Sequence, residues 1–284
     1  MESQWVRGQP GYPAGLEELD SPPPRLWVRG IVEISGPRVA IVGTRRCSER
    51  GRYLASRLAE RLAAEGVTII SGGALGIDGA AHEGALAARG RTWVILPSPL
   101  HRPAPARHRR LFDKIIDGGG AWITEVQQEC GRHTFFMRNR LVAALAHVVV
   151  VVEAQDRSGT QHTVDFARSL RRPLGAFPWA VGETYGAACL AALKQGAHLV
   201  TEAEDVLQML KACGAPGVEQ SSFAAPVDPL LTALAGEEVS PEVLSARLGW
   251  PLAQVLVRLT TLELRGRVRA VSGGRFVGVA VTPR

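Results

Sequence analysis

Residues 38–73 read RVAIVGTRRCSERGRYLASRLAERLAAEGVTIISGG. RVAIVG is a short apolar run rich in β-branched residues, the pattern of a strand buried on both faces. GRYLASRLAERLAAEG spaces its apolar residues by three and four, as an amphipathic helix does. VTIISGG is a second strand. The alternation continues down the chain: DGAAHEGALAARG (helix), TWVILP (strand), RRLFDKIIDGG (helix), AWITE (strand), RNRLVAALA (helix), HVVVVVEA (strand) and HTVDFARSLRR (helix). PLGAF, YGAACLAALKQG, AHLVT and AEDVLQMLKACG repeat it twice more. Apolar strands alternating with amphipathic helices predict an α/β, Rossmann-like parallel sheet with helices on both faces, spanning residues 37–213. Right-handed crossovers then bring every parallel strand's carboxyl end to one edge.

Outward from this region the composition changes. Residues 1–36 are rich in Pro and Gly and hold no long periodic run. They are expected to be a lead-in that packs on the main domain through Leu16, Leu19, Leu26 and Trp27. Residues 214–227 (GAPGVEQSSFAAPV) read as a linker. Residues 228–284 give three helices, DPLLTALAG, SPEVLSARLG and PLAQVLVRLTTLELRG, then two strands around a Gly-Gly turn. Ser240 is the expected N-cap of the second helix, with Pro241 at its first position. Three helices followed by a hairpin predict a small C-terminal winged-helix domain.

The chain has 284 residues, 46% apolar and 21% charged, which suits a globular protein with a full core. No run of eighteen apolar residues predicts a membrane span, and the N-terminus lacks an apolar signal core. A cytoplasmic location is expected. Cys47, Cys130, Cys189 and Cys213 are scattered without zinc spacing, so reduced and mostly buried thiols are expected. The net charge is +6, and only Lys114, Lys194 and Lys211 among the 33 cationic side chains are lysines. Arginine grips phosphate bidentately. A GC-rich genome would also produce this bias, so the positions of the arginines matter more than their number.

Ligands of an open parallel sheet bind at the strands' carboxyl ends. Gly43, Thr44, Arg45 and Arg46 follow the first strand, where small residues let backbone N–H groups approach an anion. Ser71, Gly72, Gly73 and Gly76 follow the second and lead into a helix N-terminus suited to phosphate. This loop is neither a Walker A nor a dinucleotide fingerprint. Asp78 is read there as an N-cap and His82 as a packed, hydrogen-bonded histidine. Phe135, Arg138, Asn139 and Arg140 follow the AWITE strand. The two arginines are placed at a helix start, an unfavourable position unless an anion is bound. One of Phe135 and Phe136 is a candidate base stacker. Arg157, Ser158, Gly159 and Thr160 form a fourth small-residue turn. Together these loops predict a wide anion-binding crevice for a multi-phosphate ligand. The loop HRPAPARHRR, with Arg102, Arg107, Arg109 and Arg110, either extends that basic track or is a solvated loop. No nucleophile elbow, zinc-protease motif or cysteine–histidine pairing is present, so no catalytic residue, metal or cofactor is assigned. Glu125 and Glu153 end strands near the crevice, where pairing with arginines is the simplest role.

At these residues the sequence resembles the DNA-processing protein A family (DprA, also called Smf). The segments that carry the likeness are YPAGLEELDSPP, VAIVGTRR, SGGALGIDGAAHEGAL, FFMRNRLVAALA, VVVVEAQDRSGT and GAHLVTEAEDVL, in this order. The resemblance implies a single-stranded DNA-binding domain at 37–213, a homodimer, and no enzymatic activity. It implies a role in natural transformation, protecting incoming DNA and helping to load the RecA recombinase. RecA and single-strand-binding protein are the partners it implies besides DNA. It also implies that Gly43, Thr44 and Arg45, with Phe135, Arg138, Asn139 and Arg140, line the DNA pocket, and that Ser71–Gly72 and Ser158–Gly159 are its serine-glycine turns.

Some positions depart from the family pattern. Leu75 stands where an arginine is usual, Pro97–Arg110 replaces a glycine-rich stretch, and SGTQHTVDF replaces the usual continuation. The helical domain that precedes this region in many members is not in the sequence, which suits a short or truncated member. Two other readings compete. One is a nucleotide-binding or nucleotide-hydrolysing Rossmann-like enzyme, although RSGTQHTVD lacks the glycine run of phosphoribohydrolases. The other is a pure adaptor. The outward positions Gln254, Val257, Arg258 and Thr261 of the third winged-helix helix include one cation, so that domain is expected to contact protein or to bind DNA weakly.

Overall fold

The computed structural model describes residues 2–128, 131–156, 158–217, 229–234, 237–264, 267–271 and 273–278. Arg157, Cys130 and most of the expected linker lie outside them. Contacts divide the chain into two units, Met1–Glu219 and Gln220–Arg284.

In the first unit the elements run β1 (Glu2–Val6), α1 (Ala14–Glu17), β2 (Arg25–Gly30), β3 (Arg38–Val42), α2 (Glu49–Ala64), β4 (Thr68–Ser71) and α3 (Ile77–Ala87). There follow β5 (Thr92–Ile95), α4 (Arg109–Asp117), β6 (Ala121–Thr124), α5 (Arg132–Leu145), β7 (Val148–Val151) and α6 (Thr160–Ser169). β8 (Leu174–Ala176), α7 (Ala187–Lys194), β9 (His198–Leu199) and α8 (Ala203–Ala212) complete it. The strands form one sheet in the order β1-β2-β6-β5-β4-β3-β7-β8-β9. β3 to β9 are mutually parallel; β1 and β2 add two antiparallel strands beyond β6.

The path explains the layers. From β3 the chain steps through α2, α3 and α4 to β6 in one direction. It returns over the sheet through α5 to β7, then steps outward through α6 to β8. Right-handed crossovers therefore place α2–α4 on one face and α5 and α6 on the other, and α2 packs on α3 while α5 packs on α6. The sheet is mixed but mostly parallel, with both faces covered. Its centre is apolar throughout: Val148–Val151 and Val39–Val42 are buried, each full burial contributing about 1.5–3 kcal/mol. Ser48 caps α2, its hydroxyl accepting the Gly51 N–H at 3.0 Å.

The lead-in does more than pack. Leu16, Leu19 and Leu26 are buried and Trp27 is half-buried, but residues 2–6 and 25–30 are strands of the sheet itself. α5 also differs from expectation. It begins at Arg132, where Thr134 Oγ1 accepts the Gly131 N–H at 3.1 Å. Arg138 and Arg140 are thus in mid-helix, and the argument from unfavourable charges at a helix start does not apply to them.

The second unit holds α9 (Pro229–Leu234), α10 (Pro241–Leu248), α11 (Leu252–Leu264) and the antiparallel strands β10 (Val268–Val271) and β11 (Arg275–Gly278). Its own core comprises Leu230, Leu234, Val239, Leu244, Val255, Leu259, Leu262 and Val268. Ser240 is the N-cap residue of α10 and Pro241 opens the helix.

Candidate nucleic-acid interface

β3 and β7 are neighbours whose connections leave in opposite directions, β3 toward β4 and β7 toward β8. Such a switch point opens a crevice beyond the strands' carboxyl ends. A cavity of about 460 Å³ lies there. The β3–α2 loop lines it with Gly43, Thr44, Arg45 and Arg46. The β4–α3 loop adds Gly72 and Ala74, with Asp78 from α3. Phe135, Arg138, Asn139 and Val142 come from α5. Gln155, Ser158, Gly159, Thr160 and Thr163 come from the β7–α6 side.

The loops are held tightly. The Thr44 N–H donates to Glu153 O at 2.7 Å, and the Ile77 N–H to Thr44 O at 3.2 Å. Gly76 has φ +83, and a side chain there would strike the Thr44 carbonyl, so only glycine fits without strain. Glu153, fully buried, accepts from the Ser48 N–H at 2.9 Å and the Ser48 hydroxyl at 2.6 Å. It anchors the start of α2 and pairs with no arginine among the described residues, contrary to expectation. Asp78 is the second residue of α3, whose N-cap is Gly76. Its buried carboxylate accepts the Ala74 N–H at 3.3 Å, with further bonds from Ser71 and Gly72. Burial raises its pKa, against the opposing effect of Arg138 and these bonds. Asp78 is a loop organiser, not the expected cap.

Three arginines meet at this cavity in different states. Arg45 and Arg46 are exposed, with no ion pair among the described residues. The Arg45 guanidinium lies 5.0 Å from the centre of the Phe135 ring. Arg138 is 5% exposed; its Nη1 donates to Ile95 O at 2.9 Å, while Nε has no hydrogen-bond partner among the described residues. Burial lowers its pKa, with a further lowering from Arg45 and an opposing effect from Asp78. The Ser158 hydroxyl is likewise buried without a partner. α6 starts at Thr160 with no side chain capping it, so its first N–H groups are available to an anion. Asn139 Nδ2 ties α5 to this turn through Gly159 O at 3.4 Å.

Other predicted residues sit behind or away from the cavity. Ser71 is buried, its hydroxyl donating to Ile41 O at 2.6 Å. Gly73, packed against Val94 and Phe112, and Gly76 shape the loop from behind. Arg140 is on another face of α5. It donates from Nη1 to Ser21 O at 2.9 Å and pairs with Glu125, binding α5 to the lead-in and to the end of β6. Phe136 packs on His162 and Phe166 rather than into the cavity. His82 is buried and bonded to Thr92, as expected. Cys189 is buried, but Cys47 is intermediate and Cys213 exposed. Sequence reasoning missed Gln155, Thr163 and His108. The last donates from Nδ1 to Gly73 O at 2.9 Å, and only its place after a proline-rich loop could have hinted at it.

Comparison with known proteins fits this geometry. The model of the DNA recombination-mediator protein A family matches residues 3–211, and that of the DprA winged helix domain matches residues 219–274. Protein Smf of Escherichia coli is 36% identical over 276 residues, covering 93% of this chain and 74% of its own. DNA processing protein DprA of Streptococcus pneumoniae is 34% identical over 200 residues, covering 69% and 70%. Its crystal structure superposes with a TM-score of 0.68 at 31% identity, covering 72% of this chain and 73% of that one. DNA processing protein A of Helicobacter pylori, described for its single-stranded DNA binding mode, gives a TM-score of 0.65 at 28% identity, covering 75% and 96%. With one family model spanning the sheet and its companion matching the C-terminal unit, this chain belongs to the DNA recombination-mediator protein A family, the DprA/Smf proteins.

Proposed function

We propose that this chain binds single-stranded DNA along the carboxyl edge of its sheet and catalyses no reaction. The observation that carries this reading is the convergence of Arg45, Arg46 and Arg138 on one cavity beside the uncapped start of α6. Exposed Arg45 and Arg46 and the α6 N–H groups hold successive phosphates, and Phe135 offers a ring against which a base stacks. Backbone phosphate contacts carry no sequence information, so binding is nearly independent of sequence and falls steeply with salt. Arg140 acts by positioning α5.

On this reading the protein works in the cytoplasm as a homodimer. It shields incoming single strands during transformation, in company with single-strand-binding protein, and helps to load RecA. No helix of the described residues is long and apolar enough to cross a membrane. The exposed part of α11 presents Gln254, Val257 and Arg258, a surface poor in base-reading cations that suits a protein contact or weak DNA binding.

A titration of fluorescent single-stranded and duplex oligomers across salt tests the reading. Tighter binding of the single strand, weakening with salt, is expected; equal or absent binding at low salt refutes it. The RecA role is checked by strand exchange on DNA coated with single-strand-binding protein. The hydrolase alternative finds one carboxylate among the described cavity residues, Asp78, and three donors already hold it. Incubation with a nucleotide panel should release neither base nor phosphate.

A further inference from the structure

A second cavity, of about 340 Å³, opens at the carboxyl end of β6. Trp27 and Arg29 of β2 line it, with Leu100 and His101 from the stretch after β5 and Gln127 and Gln128 from the stretch after β6. Trp27 pairs with Thr124, the last residue of β6, which puts this cavity on the same sheet edge as the first. The two lie under β6 and β3, three strand spacings apart, or roughly 14 Å. That is a gap a single strand crosses in a few nucleotides.

The chemistry of the lining selects a neutral heteroaromatic. Trp27 is half-buried, seated on the cluster of Val94, Leu96, Phe112 and Trp122, so its ring is a fixed platform. Arg29 does not call for an anion: its Nε donates to Glu2 at 2.9 Å, and its guanidinium lies 4.9 Å from the Trp122 ring centre. The Gln127 and Gln128 side chains are exposed and hydrogen-bonded to nothing among the described residues. Each amide offers donors and an acceptor, which match the mixed edge of a nucleobase. Exposed Arg102, Arg107 and Arg110 follow in the connection from β5 into α4, available to phosphates flanking such a base.

We propose that this cavity is a second nucleobase subsite, in which Trp27 stacks a base of the same strand that occupies the β3/β7 cavity. The proposal rests on the single-stranded DNA reading above. Base–aromatic stacking contributes about 1–3 kcal/mol per base, so its loss costs about tenfold or more in affinity.

Thymidine oligomers of about four and about sixteen nucleotides, bracketing common single-strand site sizes, are titrated against the full chain and two variants. Trp27→Leu keeps an apolar side chain over the core and removes the platform; Trp27→Phe keeps a ring. The expected result is unchanged affinity of Trp27→Leu for the short oligomer and a loss of about tenfold for the long one, largely restored in Trp27→Phe. Unchanged affinity for the long oligomer overturns the subsite, and so does an equal loss for both lengths. Failure of the unsubstituted protein to bind either oligomer refutes the functional reading itself, and the subsite with it.

Discussion

Arg138 lies across the bare Cα of Gly72: a Cβ built at residue 72 would come within 1.6 Å of Arg138 Nη1. The guanidinium cannot simply swing aside, because Nη1 is bonded to Ile95 O in a buried site. The glycine is therefore a seat for the arginine. Gly72→Ala should displace it, leaving the site short of one buried cation and the Ile95 carbonyl unpaired. Losing such a charge-assisted bond costs about 1.5–3 kcal/mol, so affinity for a single-stranded oligomer should fall about tenfold or more, read by fluorescence anisotropy. An unchanged affinity would show that Arg138 does not need this seat.

Arg45 presents the opposite case, an exposed cation over an exposed cavity rim. Its removal leaves no buried group unpaired, so Arg45→Ala should fold normally. Binding should weaken by a similar factor for oligomers of every composition. A contact to one phosphate also contributes about 0.7 to the slope of log K against log salt for single strands. The variant's slope should be shallower by about that amount, measured by titration at several salt concentrations. A loss confined to one base composition would contradict a phosphate role.

How far the sequence reveals this site follows from the physics of each part. The βα alternation is legible because β3, β4 and β7 are buried on both faces and their helices are periodic. β1 and β2 are not legible. They are short, half-exposed and bounded by Pro and Gly, so no apolar run marks them. The glycine loops announce themselves as turns, but the partner of each glycine, such as Arg138 for Gly72, is distant in the chain. Arg138 and Arg140 look alike in FMRNR. A helix turns about 100° per residue, so two positions apart they face different sides, and the sequence placed the start of α5 too late to show it.

That difference in facing gives Arg140 a structural role. Its pair with Glu125 is mostly buried, with side-chain exposures of 9% and 19%. Breaking a buried pair by deleting one partner strands the other charge and costs about 3–5 kcal/mol; the residual exposure of Glu125 argues for the lower end. Arg140→Ala should lower the denaturant midpoint at an unchanged slope. Below the unfolding transition, oligomer affinity should stay within about twofold of the parent. A large affinity loss in fully folded protein would mean that Arg140 reaches DNA after all.

His82 sets an acid limit on stability. It is fully buried beneath the site, bonded to Thr92 through Nδ1 at 2.7 Å. Burial pulls its pKa from 6.5 down to about 3, with smaller contributions from His108 and Arg138. The folded state therefore holds His82 neutral, while the unfolded chain takes up a proton below pH 6.5. The stability is fully present above that pH and drains away as the pH falls from 6.5 toward 3, where the folded form also protonates. Between pH 6.5 and 5.0 the loss from this group is roughly 2 kcal/mol. His147, pushed by burial and by Arg38 and Arg172 to about 4, adds a smaller, solvent-screened share in the same direction. Urea unfolding at a series of pH values should show this slope in the parent protein. His82→Gln, whatever its stability at pH 7.5, should keep only the shallower dependence that His147 supplies. A variant as acid-sensitive as the parent would show that the proton uptake on unfolding lies elsewhere.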